Sequence, residues 1–157
     1  MSEISKKLPQ NLDIEKSILS ACLNVKDAFS VVSGYLSEES FYSTKNKKVF
    51  EAIKELDSKK SAIDLLTVSN LIPIDIVMAI SSASYSMTSL ESHCLILKEK
   101  QISRELIKMG GEITGQGFED DPFELLSFAS QKLDEISGEV AKQKVRTMQD
   151  VIMSMIF

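Results

Sequence analysis

Two apolar stripes in the second half of the chain restrict the fold most. Leu95, Ile102, Leu106, Met109 and Ile113 recur with steps of seven, four, three and four; Leu126, Ala129, Leu133, Ile136 and Val140 recur with steps of three, four, three and four. Such spacings hold side chains on one face of an α-helix of ~3.6 residues per turn. Between the stripes lies Gly115-Gln116-Gly117-Phe118-Glu119-Asp120-Asp121-Pro122, a run of loop formers. The pattern predicts an antiparallel helical hairpin over residues 89–141. Its first arm, about 25 residues at ~1.5 Å each, would reach roughly 37 Å. That is more than the preceding 88 residues can cover, so part of the hairpin is expected to project. A two-helix projection cannot bury all its apolar side chains, and pairing with another copy is the natural remedy.

Residues 1–88 read as a compact bundle of short helices. Asn11 can cap a helix whose face is marked by Leu12, Glu15, Leu19 and Cys22, with Ile18 and Leu23 flanking it. Gly34 is a break. Ser37 before Glu38 and Glu39 reads as a helix start with acids in the first turn. Ser43 or Thr44 opens a helix that buries Val49, Phe50, Ile53 and Leu56, and Asp64 caps a short one through Leu71, closed by Pro73. Ser81-Ser82-Ala83-Ser84 and the stretch from Ser86 to Ser89 form a small, polar connector. No stretch alternates with period two, so the expected fold class is all-α.

Residues 142–157 form a third part. Lys142-Gln143-Lys144-Val145-Arg146 reads as a polar tether, and Thr147-Met148-Gln149-Asp150 fits a capping box. The short helix expected after it carries Met148, Val151, Ile152, Met155 and Ile156. A helix this short is marginal alone, and its methionines suit a groove on another molecule.

The search for chemistry returns none. Net charge is −5, with 18 Lys and Arg against 23 Asp and Glu. A sequence-independent grip on nucleic acid needs clustered cations, and the best cluster, Lys45, Lys47 and Lys48, reads as a solvated helix face. A low-salt titration with single- and double-stranded DNA tests that assignment. Gly110-Gly111-Glu112-Ile113-Thr114-Gly115-Gln116-Gly117 has the glycine spacing of a phosphate loop. It lacks the Lys and Ser/Thr that reach phosphate and Mg²⁺, and it leaves a helix where such a loop leaves a strand. His93 is the single histidine, and no second ligand pair completes a metal site with Cys94. Cys22 and Cys94 sit in apolar patterns, as in a reduced cytoplasmic protein. No apolar run reaches the ~18 residues of a membrane span. The paired acids Glu38/Glu39 and the group Glu119, Asp120, Asp121 and Glu124 lie at helix starts or in the loop, outside any apolar cleft. The latter group could steer a basic partner surface. Catalytic, cofactor and metal residues are therefore all expected to be absent.

Several strings in order carry a resemblance. Leu8-Pro9-Gln10-Asn11-Leu12-Asp13-Ile14-Glu15-Lys16-Ser17-Ile18-Leu19-Ser20-Ala21-Cys22-Leu23 resembles the P-x-N-x-x-A-E-x-S-V-L-G-A-L-L opening of bacterial replicative DNA helicases, the DnaB family. Leu36 to Tyr42 resembles L-x-P-E-D-F-Y, and Val49 to Ile53 resembles I-F-E-A-I. Ile63 to Val68 is similar to I-D-x-x-T-V, and Leu97 to Ile107 to V-x-E-K-x-x-x-R-E-L-I. Ser20 stands where Gly is usual, Glu38 where Pro is usual, and Asn46 where His is customary. The stretch between Leu71 and Ile76 is shorter than the family's.

The resemblance implies the helical collar domain of a hexameric helicase, in which hairpins pair between subunits and the collar recruits the primase C-terminal domain, and in some systems a helicase loader. It further implies that Thr147–Phe157 matches the linker helix that docks on a neighbouring motor domain. ATP and Mg²⁺ would belong to that motor, for which 157 residues leave no room. In this reading Leu95, Ile102, Leu106, Met109, Ile113, Leu126, Leu133 and Ile136 hold the hairpin and its dimer partner. The alternative is a freestanding helical adaptor or regulator that imitates the collar. The two differ in whether the natural reading frame continues past Phe157 into a phosphate loop.

Overall fold

The computed structural model describes residues 7–156, with side chains described to Val140 and again at Met153 and Met155. Among these residues are seven α-helices and one 3₁₀ turn, with no strand. The chain forms two compact units, Met1–Gln101 and Ile102–Phe157.

In the first unit, α1 (Leu12–Asn24) starts where Asn11 Oδ1 accepts from the Ile14 backbone N–H at 3.1 Å. After α2 (Ala28–Val32) and the 3₁₀ turn Glu38–Ser40, α3 (Thr44–Ser58) begins at Ser43, whose Oγ accepts from Asn46 N. Asp64 and Thr67 cap α4 (Leu65–Ser69) reciprocally. Pro73 then sits at the start of α5 (Ile74–Ser81), with its fixed φ suited to a helix entry. The helix expected through Leu71 ends at Ser69, and α5 is a further helix that the sequence pattern does not mark. Most of α5 is apolar, so it lacks the polar face that would have marked a helical period.

The core gathers Ile18, Leu19, Val49, Phe50 and Ile53 around Phe41 and Phe29, all buried. Phe50 lies 4.9 Å from Phe41 and 5.6 Å from Phe29 between ring centroids, in tilted pairs. Each such side chain contributes about 1.5–3 kcal/mol by leaving water. The anticipated stripes of α1 and α3 are the buried ones, except that Leu12 is exposed and Leu56 is half-buried.

Two polar ties position the elements. Ser20, buried in α1, donates to the carbonyls of Ala83 (2.7 Å) and Ser81 (3.2 Å), while Asn24 Nδ2 donates to Ser81 O. The Ser20 hydroxyl and the Asn24 amide thus satisfy carbonyls at and just past the end of α5. The first turns of α6 (Leu90–Gln116) bury Leu90, Cys94, Leu97 and Gln101, at steps of four, three and four. Gln101 Oε1 accepts from Ser40 Oγ at 2.7 Å and from Lys98 Nζ at 3.3 Å.

The second unit is the hairpin of the remainder of α6 and α7 (Pro122–Ile156). At Gly117 the chain turns close to α6: a Cβ there would stand 3.0 Å from the Ile113 carbonyl oxygen, which would have to give slightly. The expected break at 142–146 does not occur, because α7 is continuous to Ile156. Lys142, Gln143, Lys144 and Arg146 are strong helix formers with no Gly or Pro among them, so polarity alone does not stop the helix. Thr147 accordingly lies inside α7 and starts no helix of its own.

Candidate functional site

The hairpin is built on a seam that differs by one position from the simplest reading of its sequence. The half-buried side chains of α7 are Leu125, Phe128, Ala129, Lys132, Ile136 and Val140, whereas Leu126 and Leu133 are exposed at 66% and 45%. Both sets are compatible with three- and four-residue steps. The structure half-buries the first set, in which Lys132, its side chain still 44% exposed, lines the groove between the arms. Lys132 Nζ stands 3.7 Å from Glu135 Oε2 and 5.9 Å from the Phe128 ring centroid.

On the facing arm, Ile102, Met109 and Ile113 are half-buried and Leu106 is exposed. Of the eight residues expected to hold the hairpin and its partner, Ile102, Met109, Ile113 and Ile136 thus line the internal seam. Leu106, Leu126 and Leu133 face outward. Leu95 belongs to the first unit and is also exposed. Glu105, Lys108, Met109 and Glu112 face Lys132, Glu135, Ile136 and Glu139 across a groove of about 200 Å³. Joined by the short loop at 117–121, the two arms fold back on each other as a hairpin.

Phe118 and Phe123, beside the loop, are also exposed, at 90% and 78%. The acids Glu119, Asp120, Asp121 and Glu124 are exposed as well. Asp121 Oδ1 accepts from Phe123 N at 3.4 Å, and the positive end of the α7 dipole favours acids here. Among the expected docking residues, Met155 is exposed, while the side chains of Met148, Val151, Ile152 and Ile156 lie outside the described residues.

The remaining candidates are placed as structure. Gly110, Gly111 and Gly115 lie inside α6, so the glycine-rich run is helix. Lys47 pairs with Glu39 at 3.4 Å. Cys22 and Cys94 are buried free thiols, and burial pushes both up to about 12. Among the described residues no three His, Cys, Asp or Glu side chains come together as a metal cage, and no helix is long and apolar enough to cross a membrane.

Sequence reasoning missed the role of one group. Glu15 is fully buried, and its carboxylate accepts from Tyr42 N (2.8 Å), Ser43 N (3.3 Å) and Asn46 Nδ2 (3.0 Å). It therefore holds the start of α3 against α1. The available clue was its place in the apolar face of α1, where a carboxylate needs partners.

The arrangement offers apolar and charged surface to another macromolecule. Comparison with known proteins identifies the family. Residues 7–99 match the family described as the DnaB-like helicase N terminal domain. The replicative DNA helicase DnaC of Bacillus subtilis (strain 168) is 27% identical over 156 residues, covering 92% of this chain and 34% of that protein. The replicative DNA helicase DnaB of Geobacillus stearothermophilus is 26% identical over 166 residues, covering 97% of this chain and 37% of that protein. The chain thus spans about a third of the length of these curated relatives, in their N-terminal part, which lacks the ATPase motor. The crystal structure of the N-terminal domain of DnaB helicase from Mycobacterium tuberculosis superposes with a TM-score of 0.76 at 22% identity, covering 83% of this chain and 99% of that one. The all-α fold is therefore shared with that domain, and the chain belongs to the family of DnaB-like helicase N-terminal domains.

Proposed function

We propose that this domain serves assembly in a replicative DNA helicase: its hairpin pairs with that of another subunit within a ring collar, and the collar recruits the C-terminal domain of primase. The observation that carries the reading is the outward placement of Leu106, Leu126 and Leu133 on the hairpin. Leu126 and Leu133 stand seven residues apart on α7 and Leu106 lies on the other arm, and their exposed apolar surface suits burial against another molecule. The domain itself takes no cofactor; ATP and Mg²⁺ act in the motor part of the helicase. It works in the cytoplasm, where a helicase loader is a further partner in some systems. The acids Glu119, Asp120, Asp121 and Glu124 steer a basic partner surface.

Sedimentation velocity at micromolar concentration tests the pairing. The natural sequence should sediment as a dimer or larger, and Leu126→Asp/Leu133→Asp should sediment as a monomer with unchanged far-ultraviolet circular dichroism. A natural chain that is strictly monomeric refutes the pairing. Pull-down with the cognate primase C-terminal domain tests recruitment, and absence of binding by the oligomer refutes that half.

A further inference from the structure

The loop end of the hairpin carries the most exposed aromatic side chains among the described residues. Phe118 is 90% and Phe123 78% exposed, and each stands directly before a glutamate, Glu119 and Glu124. The backbone around them is tied on both sides of the turn. Gly117 N donates to Ile113 O at 2.8 Å, Asp120 N to Gln116 O at 2.9 Å, and Leu125 N to Asp121 O at 3.0 Å. The rings are thus presented from a hydrogen-bonded turn, on side chains that lose little entropy when immobilised.

Charge decides what can cover them. From Met109 to Gln131 the chain holds Glu112, Glu119, Asp120, Asp121 and Glu124 and no lysine, arginine or histidine. A surface of this sign repels phosphates, which excludes nucleic acid and an anionic lipid surface as occupants. A purely apolar partner would strip water from the carboxylates beside the rings without replacing their hydrogen bonds. One side chain satisfies ring and carboxylate together. The guanidinium of arginine stacks on an aromatic face and forms paired hydrogen bonds to a carboxylate, whereas the lysine ammonium is a compact, strongly hydrated point charge.

We propose that the loop end of the hairpin is a docking site for an arginine-rich segment of a partner protein, with guanidinium planes stacked on Phe118 and Phe123 and paired with the carboxylates of the turn. This rests on the reading that the loop acids meet a basic partner, and it adds the residue chemistry of that partner. Selectivity for arginine over lysine comes from the rings; the acids attract either cation.

Fluorescence anisotropy with labelled nona-arginine and nona-lysine, titrated with the full chain at physiological ionic strength, tests this. Nona-arginine should bind about fivefold more tightly or better. Phe118→Leu/Phe123→Leu keeps apolar side chains and removes the π faces, so it should bring the two peptides to within about twofold of each other. Glu119→Gln/Asp120→Asn/Asp121→Asn/Glu124→Gln should weaken both peptides and leave their ratio in place. Sedimentation of the leucine variant should match that of the natural sequence. Equal binding of the two peptides overturns the arginine site and leaves the steering acids standing, whereas no binding of either overturns both. A ratio that survives in the leucine variant overturns the role of the rings. A leucine variant that sediments as a smaller species assigns the rings to pairing between copies and likewise overturns the proposal.

Discussion

Replacing Glu15 by Ala removes the acceptor for three donors at once. Two are the backbone N–H groups of Tyr42 and Ser43, and the third is the side-chain amide of Asn46. Hydrogen bonds to a charged group are worth about 1.5–3 kcal/mol each, and each buried donor left unpaired costs about 1–3 kcal/mol. Water entering the space offsets part of this, so the expected loss is about 3–5 kcal/mol. Glu15→Gln keeps one acceptor oxygen but sets an amide N–H₂ against donors, for an expected loss of about 2–4 kcal/mol. Adding Asn46→Asp to Glu15→Gln gives that amide an acceptor again, and the double variant should recover about 1 kcal/mol of the sum of the single losses. Urea unfolding followed by far-ultraviolet circular dichroism measures the totals. Hydrogen exchange at Tyr42 and Ser43 reads the local effect, which should exceed that at Ile53. A loss below about 0.5 kcal/mol for Glu15→Ala, or unchanged exchange at Tyr42, refutes the assignment of Glu15 as the anchor of α3.

Two further outcomes follow from other contacts. Ser20→Gly removes the hydroxyl that donates to Ala83 O and Ser81 O and places glycine inside α1, so a loss of about 1–2 kcal/mol is expected by urea unfolding, with faster exchange at the end of α5. Glu38 is held below the usual carboxylate range, first by the hydrogen bond from Lys54 and then by a backbone N–H. Its folded carboxyl ionises at lower pH than the unfolded one, so the pair's stabilisation is complete above the unfolded value and is lost as pH falls through the folded value. The effect is small at this solvent-accessible site. Lys54→Met should raise the Glu38 carboxyl in a nuclear magnetic resonance titration, and an unmoved value refutes the pairing.

The helix starts were legible before any tertiary structure because a cap is local. Asn11, Ser43 and Asp64 each bond a backbone N–H three residues on. The loop at 117–121 was legible for the same reason. Helix ends were less so: α4 stops at Ser69 and α7 runs through its polar stretch, since stopping depends on what the next residues can pack against. The apolar faces of α1 and α3 were legible except at their ends, Leu12 and Leu56, because one dominant face leaves a single way to bury it.

By itself, then, the sequence determined that this protein is all-helical and that its second half folds back on itself. It also carried the ordered strings of the DnaB family. Only the tertiary structure decided which leucines of the hairpin are inside. Steps of three and four fit Leu125 with Lys132 as well as Leu126 with Leu133, and one sequence cannot separate registers that differ by a rotation of one residue. Packing of the two arms separates them, since it half-buries Leu125 and Phe128 and leaves Leu126 and Leu133 exposed. Likewise, only packing shows that Glu15 faces three donors rather than water, because those donors lie 27 to 31 residues away along the chain.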